Sequence, residues 1–159
     1  MESLTSTSMV DFISKLHPAI RQRALDFLAK AKEQGIDLKI TFGLRTFEEQ
    51  QKIYDQGRTE VSKAKGEKIV TKAKPGQSFH NYGLAIDVVP IVKGKADWES
   101  KIWSKIGEIG KSVGFSWGGD WKSFKDLPHF EYPPATKYTV LLALKNAGKV
   151  DAEGYVILP

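Results

Sequence analysis

The sequence predicts an α+β domain, with a small, mainly antiparallel sheet and helices segregated from it. Three observations carry this prediction. Apolar residues recur at helical spacing near both ends of the chain and between residues 97 and 113. Short alternating or β-branched runs stand between those segments. Single glycines and prolines punctuate them, with no internal repeat, linker or low-complexity stretch. A chain of 159 residues suits one domain, so residues 1–159 are read as a single unit. The role of residues 135–159, a helix and tail, stays open.

In chain order, Ser8 is expected to cap a helix from Met9 to Gln34. Its apolar positions are Phe12, Ile13, Leu16, Ile20, Leu25, Phe27 and Leu28, and Gly35 stops it. In Asp37–Leu44, Leu38, Ile40 and Phe42 alternate with polar residues, as in a half-buried strand. Thr46 followed by Glu49 is a capping box and predicts a helix to about Tyr54, ending near Gly57. Residues 58–79 read as a long polar loop, with a short strand at Lys68–Val70. Loops of that length in small domains are commonly functional. Leu84–Pro90 reads as a buried strand with Asp87 in its middle. A helix capped by Asp97 is expected to run to Val113, where Gly114 stops it. Phe115–Trp117 and His129–Tyr132 read as short strands, and Ala135–Ala147 as a last helix. The tail GYVILP is expected to add an edge strand.

Composition narrows the chemistry. There is no cysteine, which excludes disulfides, thiolate metal sites and a thiol nucleophile. Any transition-metal site must draw on His, Asp and Glu. The net charge is +5 and the pI about 9.3, a balance that favours anionic partners. Lysines cluster between Lys63 and Lys74, which by itself describes a solvated loop. No run is apolar enough to span a membrane. The start, MESLTSTSMVDF, lacks a cationic segment followed by an apolar one. Synthesis in the cytoplasm without a signal peptide is therefore expected.

Asp87 is the first chemical oddity. A carboxylate among Ala85, Ile86, Val88 and Val89 is costly to bury unless paired or bound to a cation, although strand alternation could turn it to water. His80 lies seven residues upstream, and Gly83 permits a turn that folds it back beside Asp87. A converging His and Asp suit zinc, and they equally suit a plain His–Asp hydrogen bond. His129 follows Asp126 by three in DLPHFEY, where Pro128 keeps the chain extended. A catalytic zinc site needs three protein ligands, an open position and a nearby base. His80, Asp87 and His129 can supply the ligands to one Zn2+ ion, and Asp126 the base. His17 precedes Pro18 without an acidic partner and reads as a surface or packing residue.

These residues resemble a known family. Ser78-Phe79-His80-Asn81-Tyr82-Gly83-Leu84-Ala85-Ile86-Asp87 is similar to the SxHxxGxAxD motif of the zinc D-Ala-D-Ala carboxypeptidase and L-alanyl-D-glutamate endopeptidase superfamily. Asp126-Leu127-Pro128-His129-Phe130-Glu131 resembles its second motif. Gly43-Leu44-Arg45-Thr46, with Gln50, resembles its strand-end arginine segment. Asp126 and the loop Trp117-Gly118-Gly119-Asp120-Trp121 look most like the endopeptidase branch seen in phage endolysins and bacterial cell-wall hydrolases.

The resemblance implies a hedgehog/D-Ala-D-Ala peptidase-like fold around a single zinc. It also implies a bacteriolytic metallopeptidase hydrolysing peptidoglycan stem peptides, most specifically at the L-alanyl-D-glutamate bond. Asp126 would be the base, and Arg45 would stabilise the oxyanion or bind a carboxylate. Ser78, Gln50, Glu131 and Trp117 are candidates for substrate contact or for supporting the ligands. The implied partner is peptidoglycan, with anionic wall polymers as a further possibility. No nucleic acid, membrane insertion or oligomer is expected. Access to the wall would follow release by another factor, such as a holin if the gene is phage-borne. Two rivals stand beside this reading: a D,D-carboxypeptidase with the same site, and a non-catalytic zinc-containing binding module of the hedgehog type.

Overall fold

At the N-terminal end the single helix expected from the sequence is two. α1 (Thr7–Lys15) and α2 (Pro18–Glu33) are separated at Leu16 and His17. Pro18 is the cause: it disfavours helical backbone at the residue before it, yet suits the first position of a helix. His17 caps α2, its Nδ1 accepting the Ala19 N–H at 3.0 Å. This computed structural model describes residues 7–159. Ser8, the expected cap, lies inside α1 with its side chain outside that description, and the segment read for a leader falls largely outside it too.

The sheet is antiparallel throughout. β1 (Leu38–Phe42), β2 (Ala85–Val92), β5 (His129–Glu131) and β4 (Ser116–Trp117) stand in that spatial order, and β3 (Lys95–Ala96) pairs with β2. β2 runs past the expected stop at Pro90 and turns into β3 through Lys93 and Gly94. Both have positive φ, 52° and 77°, as a tight two-residue hairpin requires.

The remaining helices follow their caps. α3 (Phe47–Asp55) opens with the Thr46–Glu49 capping box, both reciprocal bonds being present. In the expected loop lies a short helix, α4 (Glu60–Ala64), capped by Thr59, and no strand forms at residues 68–70. α5 (Trp103–Ser112) begins well after Asp97, which does not cap it. The Asp97 N–H is committed to the Pro90 carbonyl at 2.8 Å, extending the β2–β3 hairpin. α6 (Tyr138–Asn146) starts later than Ala135, whose φ of 61° is left-handed and cannot open a right-handed helix. The tail bends back, forming a single bridge between Val150 and Val156 in place of an edge strand.

α2 and α5 cover one face of the sheet. Phe27 of α2 packs edge-on against Phe130 of β5, their centroids 4.7 Å apart, and against Phe115 at 6.0 Å. Burying each such side chain stabilises the fold by roughly 1.5–3 kcal/mol. Ile86, Val88 and Phe130 are fully buried. Strand alternation therefore turns Asp87 and His129, which interleave with them, to the opposite face. There the turn that carries His80 meets them. No helix among the described residues is long and apolar enough to cross a membrane.

Candidate metal centre and active site

Asp87 and His129 are direct cross-strand partners in the β2–β5 ladder, so their side chains rise together from one face. His80 reaches the same point from a 3-10 turn, Phe79–Tyr82, that leads into β2. Gly83 ends that turn at φ 68°, and a Cβ there would stand 2.8 Å from the His17 backbone nitrogen. Only glycine accommodates both the left-handed backbone and that approach.

The convergence is close. His80 Nε2 lies 3.3 Å from Asp87 Oδ1, and His129 Nδ1 lies 3.4 Å from the same oxygen. These distances exceed those of good hydrogen bonds. They match the edge of a tetrahedron, since ligands about 2.0–2.1 Å from a zinc ion stand about 3.3–3.4 Å apart. Asp87 Oδ1 is buried and has no hydrogen-bond partner among the described residues. Such an orphaned carboxylate oxygen between two imidazoles is what a cation would satisfy. Among the described residues, His80, Asp87 and His129 form a group able to hold a metal ion.

Both imidazoles are oriented from behind. His80 Nδ1 lies 2.8 Å from the Gly43 carbonyl. A carbonyl only accepts, so Nδ1 carries the hydrogen and Nε2 presents its lone pair. His129 Nε2 lies 2.6 Å from Glu131 Oε1, which likewise leaves Nδ1 toward the centre. Glu131 shares the face of His129, two residues along β5.

The charges are strongly coupled. Burial works against the Asp87 charge, but His129 and His80 outweigh it and hold the carboxyl well below the usual carboxylate range. Burial would lower the His129 imidazole, yet the Asp87 and Glu131 carboxylates prevail and push it up to about 9. Asp126 moves the other way. Burial raises its carboxyl, His129 draws it down, and the Asp87 charge raises it again. A half-buried acid raised in pKa beside a His–Asp–His cluster is suited to moving a proton.

Asp126 is positioned by a glycine-rich turn. Its N–H donates to the Gly118 carbonyl at 3.1 Å. A Cβ on Gly118 would come within 2.3 Å of the Asp126 carbonyl oxygen, so this approach requires glycine. Trp117 does not line the cleft. It is buried, stacks on Phe130, and donates from Nε1 to the Leu127 carbonyl at 2.7 Å. It thereby anchors the loop that carries Asp126. Trp121 takes the exposed place, its ring 5.2 Å from that of His129.

Arg45 stands across the site. Its guanidinium Nη1 donates to Gln50 Oε1 at 3.2 Å and lies over Phe42, which pairs with Asp87 in the ladder. Its charge reaches Asp126. Gln50 is fully buried, and its Nε2 donates to the Ala73 carbonyl at 2.8 Å. Ser78 acts as a cap: its Oγ accepts the His80 N–H at 3.2 Å.

Sequence reasoning missed Asn81 and Gly43 as supports of the site. Asn81 Nδ2 donates to the Arg45 carbonyl at 3.1 Å and to Gln50 Oε1 at 3.2 Å, locking the arginine segment to the histidine turn. Its place beside His80 in the motif was a usable signal. The Gly43 carbonyl offered none, because a backbone acceptor leaves no mark on residue type.

Comparison with known proteins agrees with this geometry. Residues 71–132 match the model of the family described as D-alanyl-D-alanine carboxypeptidase. The chain is 47% identical over 131 residues to the peptidoglycan L-alanyl-D-glutamate endopeptidase CwlK of Bacillus subtilis (strain 168), covering 76% of this chain and 75% of the relative. The chain belongs to this peptidase family. Another member, the L-alanyl-D-glutamate peptidase of Listeria phage A118, is 31% identical over 124 residues, 76% of this chain and 39% of that protein. The family fold is recognisable at greater distance. The Serratia marcescens L-Ala D-Glu endopeptidase ChiX superimposes with a TM-score of 0.59 at 22% identity, over 81% of this chain and 94% of that one. The vancomycin-resistance D,D-pentapeptidase VanY, solved with Zn(II), gives 0.57 at 24% identity, over 80% and 78%.

Proposed function

We propose that this family member is a zinc peptidase that hydrolyses the L-alanyl-D-glutamate bond of peptidoglycan stem peptides. The observation that carries the chemistry is the orphaned Asp87 oxygen 3.3–3.4 Å from two pre-oriented imidazole nitrogens. The choice of bond follows the 47% identity to an enzyme of that name.

His80 Nε2, Asp87 Oδ1 and His129 Nδ1 would hold the ion. A zinc ion so held supplies an acidified water and a Lewis acid for the scissile carbonyl. Asp126, its carboxyl raised by burial, takes the proton from the attacking water and returns it to the leaving nitrogen. Arg45, fixed by Gln50, faces the charge that develops on the carbonyl oxygen. Trp121 shields the His129 edge of the site from solvent.

The test is digestion of purified peptidoglycan with zinc-loaded protein and mass analysis of the fragments. New alanyl carboxyl and glutamyl amino ends support the reading. Release of a single terminal D-alanine would favour a carboxypeptidase, the activity in the matching family's description. No cleavage by protein with a full complement of zinc would favour a binding module.

A further inference from the structure

The segment between α3 and the His80 turn forms a strap along one side of the site. Residues 58–74 carry six cationic side chains against two acidic ones. The strap is fixed on either side of Lys72. The Thr71 carbonyl accepts from Arg58 Nη2 at 2.9 Å, and the Ala73 carbonyl accepts from Gln50, the residue that also holds Arg45. Lys72 is therefore presented from an ordered backbone one residue from the network of Arg45.

Lys72 meets the opposite rim. Its Nζ lies 3.7 Å from the centroid of the Phe124 ring. Phe124 precedes Asp126 by two, so this contact joins the strap to the loop bearing the proposed base. Phe124 has a left-handed φ of 53° and is 76% exposed. A bulky residue gains nothing from that backbone, and an exposed ring gains little from burial. Unfavourable local choices of this kind concentrate at functional sites. The ion pairs formed by lysine and arginine among the described residues involve Lys15, Arg21, Lys52 and Lys111, and leave Lys72 out. The ring covers one side of its ammonium, and the other donors are left for an anion.

We propose that Lys72, steadied by Phe124, receives the free carboxylate of the glutamyl residue on the amine side of the scissile bond and selects it over the amidated form. This rests on the L-alanyl-D-glutamate reading above. A glutamyl residue there uses one carboxyl in the chain and leaves the other free; when the side-chain carboxyl continues the chain, the free one sits on the carbon that bears the leaving nitrogen. Arg45 is engaged with Gln50, whereas Lys72 is a rim cation with no acidic partner among the described residues.

The experiment compares two synthetic stem peptides, identical except that the free glutamyl carboxyl is an acid in one and an amide in the other. Zinc-loaded wild type is expected to prefer the acid in kcat/KM by about tenfold, the scale of one charge-assisted contact at a partly solvated site. In Lys72→Met the ratio should fall close to one through a higher KM for the acid, and Lys72→Arg should retain most of it. The ratio is taken within one protein, so partial loss of metal or fold cancels. An unchanged ratio in Lys72→Met, or a wild type indifferent to the amide, overturns the assignment of Lys72 while cleavage at the alanyl-glutamyl bond still stands. Cleavage at a different bond in the mass spectrum overturns both readings.

Discussion

The two sides of the cleft are built by different physics. On one side, Asp87 and His129 stand on paired strands, backed by the fully buried Ile86, Val88 and Phe130. Their spacing is set by the ladder and can change only if the sheet does. On the other side, the strap of residues 58–77 has almost no buried apolar side chain, and discrete polar bonds from Arg58 and Gln50 hold it. A metal cluster needs ligand positions good to a fraction of an ångström, which a ladder provides. A surface that meets varied wall peptides tolerates the softer construction. The contrast implies that changes on the ladder side abolish chemistry, and that changes on the strap side retune recognition.

The largest effect is expected at the ladder. Asp87→Ala removes the oxygen shared by both imidazoles, and should abolish zinc retention and wall lysis together. Metal analysis of the dialysed protein beside a lysis assay checks this. Retained zinc with lysis near wild type would break the contrast at its strongest point. Asp126→Asn comes next. It keeps the shape of the side chain but not its basicity, so kcat should fall by about a hundredfold to ten-thousandfold. Zinc content should remain that of wild type. A rate within a few-fold of wild type would remove Asp126 as the base.

What the sequence revealed divides along the same line. The ladder-side residues were legible because their types are chemically conspicuous at motif spacing: a carboxylate in an apolar run, a histidine seven residues before it, and an acid three before another histidine. Asp87 by itself was ambiguous between an outward carboxylate and a ligand. Its cross-strand register with His129, a long-range fact, decides the geometry. The α1–α2 break was written locally in Pro18, but the helical spacing across it concealed it. On the strap side little was legible. Helix α4 hides in a polar stretch whose only sign is the Thr59 cap. The Lys72–Phe124 contact joins residues far apart in sequence, and the Gly43 carbonyl behind His80 has no side-chain signature at all. Trp117 shows the reverse case, an aromatic in the right motif that serves the core and positions Asp126 indirectly.

Intermediate effects test how the ladder side is tuned. Glu131→Gln keeps an acceptor for His129 Nε2 but removes its charge. Zinc affinity should weaken by about 10- to 100-fold, the usual cost of losing such a supporting partner. A competition titration with a chromophoric chelator reads it. The same pair gives a pH dependence. In the metal-free protein His129 is raised from 6.5 to about 9, so the folded state binds this proton more tightly than the unfolded chain. Its stabilising contribution is full below about pH 6.5 and is lost as pH rises through about 9. Metal-free protein should therefore lose thermal stability across that window, and zinc should remove this loss because the ion displaces the proton. Zinc affinity should rise with pH over the same range. A flat metal-free profile between pH 6.5 and 9 would contradict the coupling of His129 to Asp87 and Glu131.

The smallest effect is expected on the strap, at Arg58. Its guanidinium lies 3.9 Å from the Tyr54 ring centroid and donates to the Tyr54 and Thr71 carbonyls. Arg58→Ala removes those bonds without touching the cluster. Each is worth about 1 kcal/mol, so the strap should loosen while the sheet stays as it is. The expected result is a KM for wall peptides raised a few-fold, with kcat and zinc affinity unchanged. Steady-state kinetics on a soluble stem peptide, together with the chelator titration, separates the two sides. If Arg58→Ala instead lowers zinc affinity as far as Glu131→Gln does, the strap and the ladder are one mechanical unit. The site could not then vary its recognition without disturbing its metal.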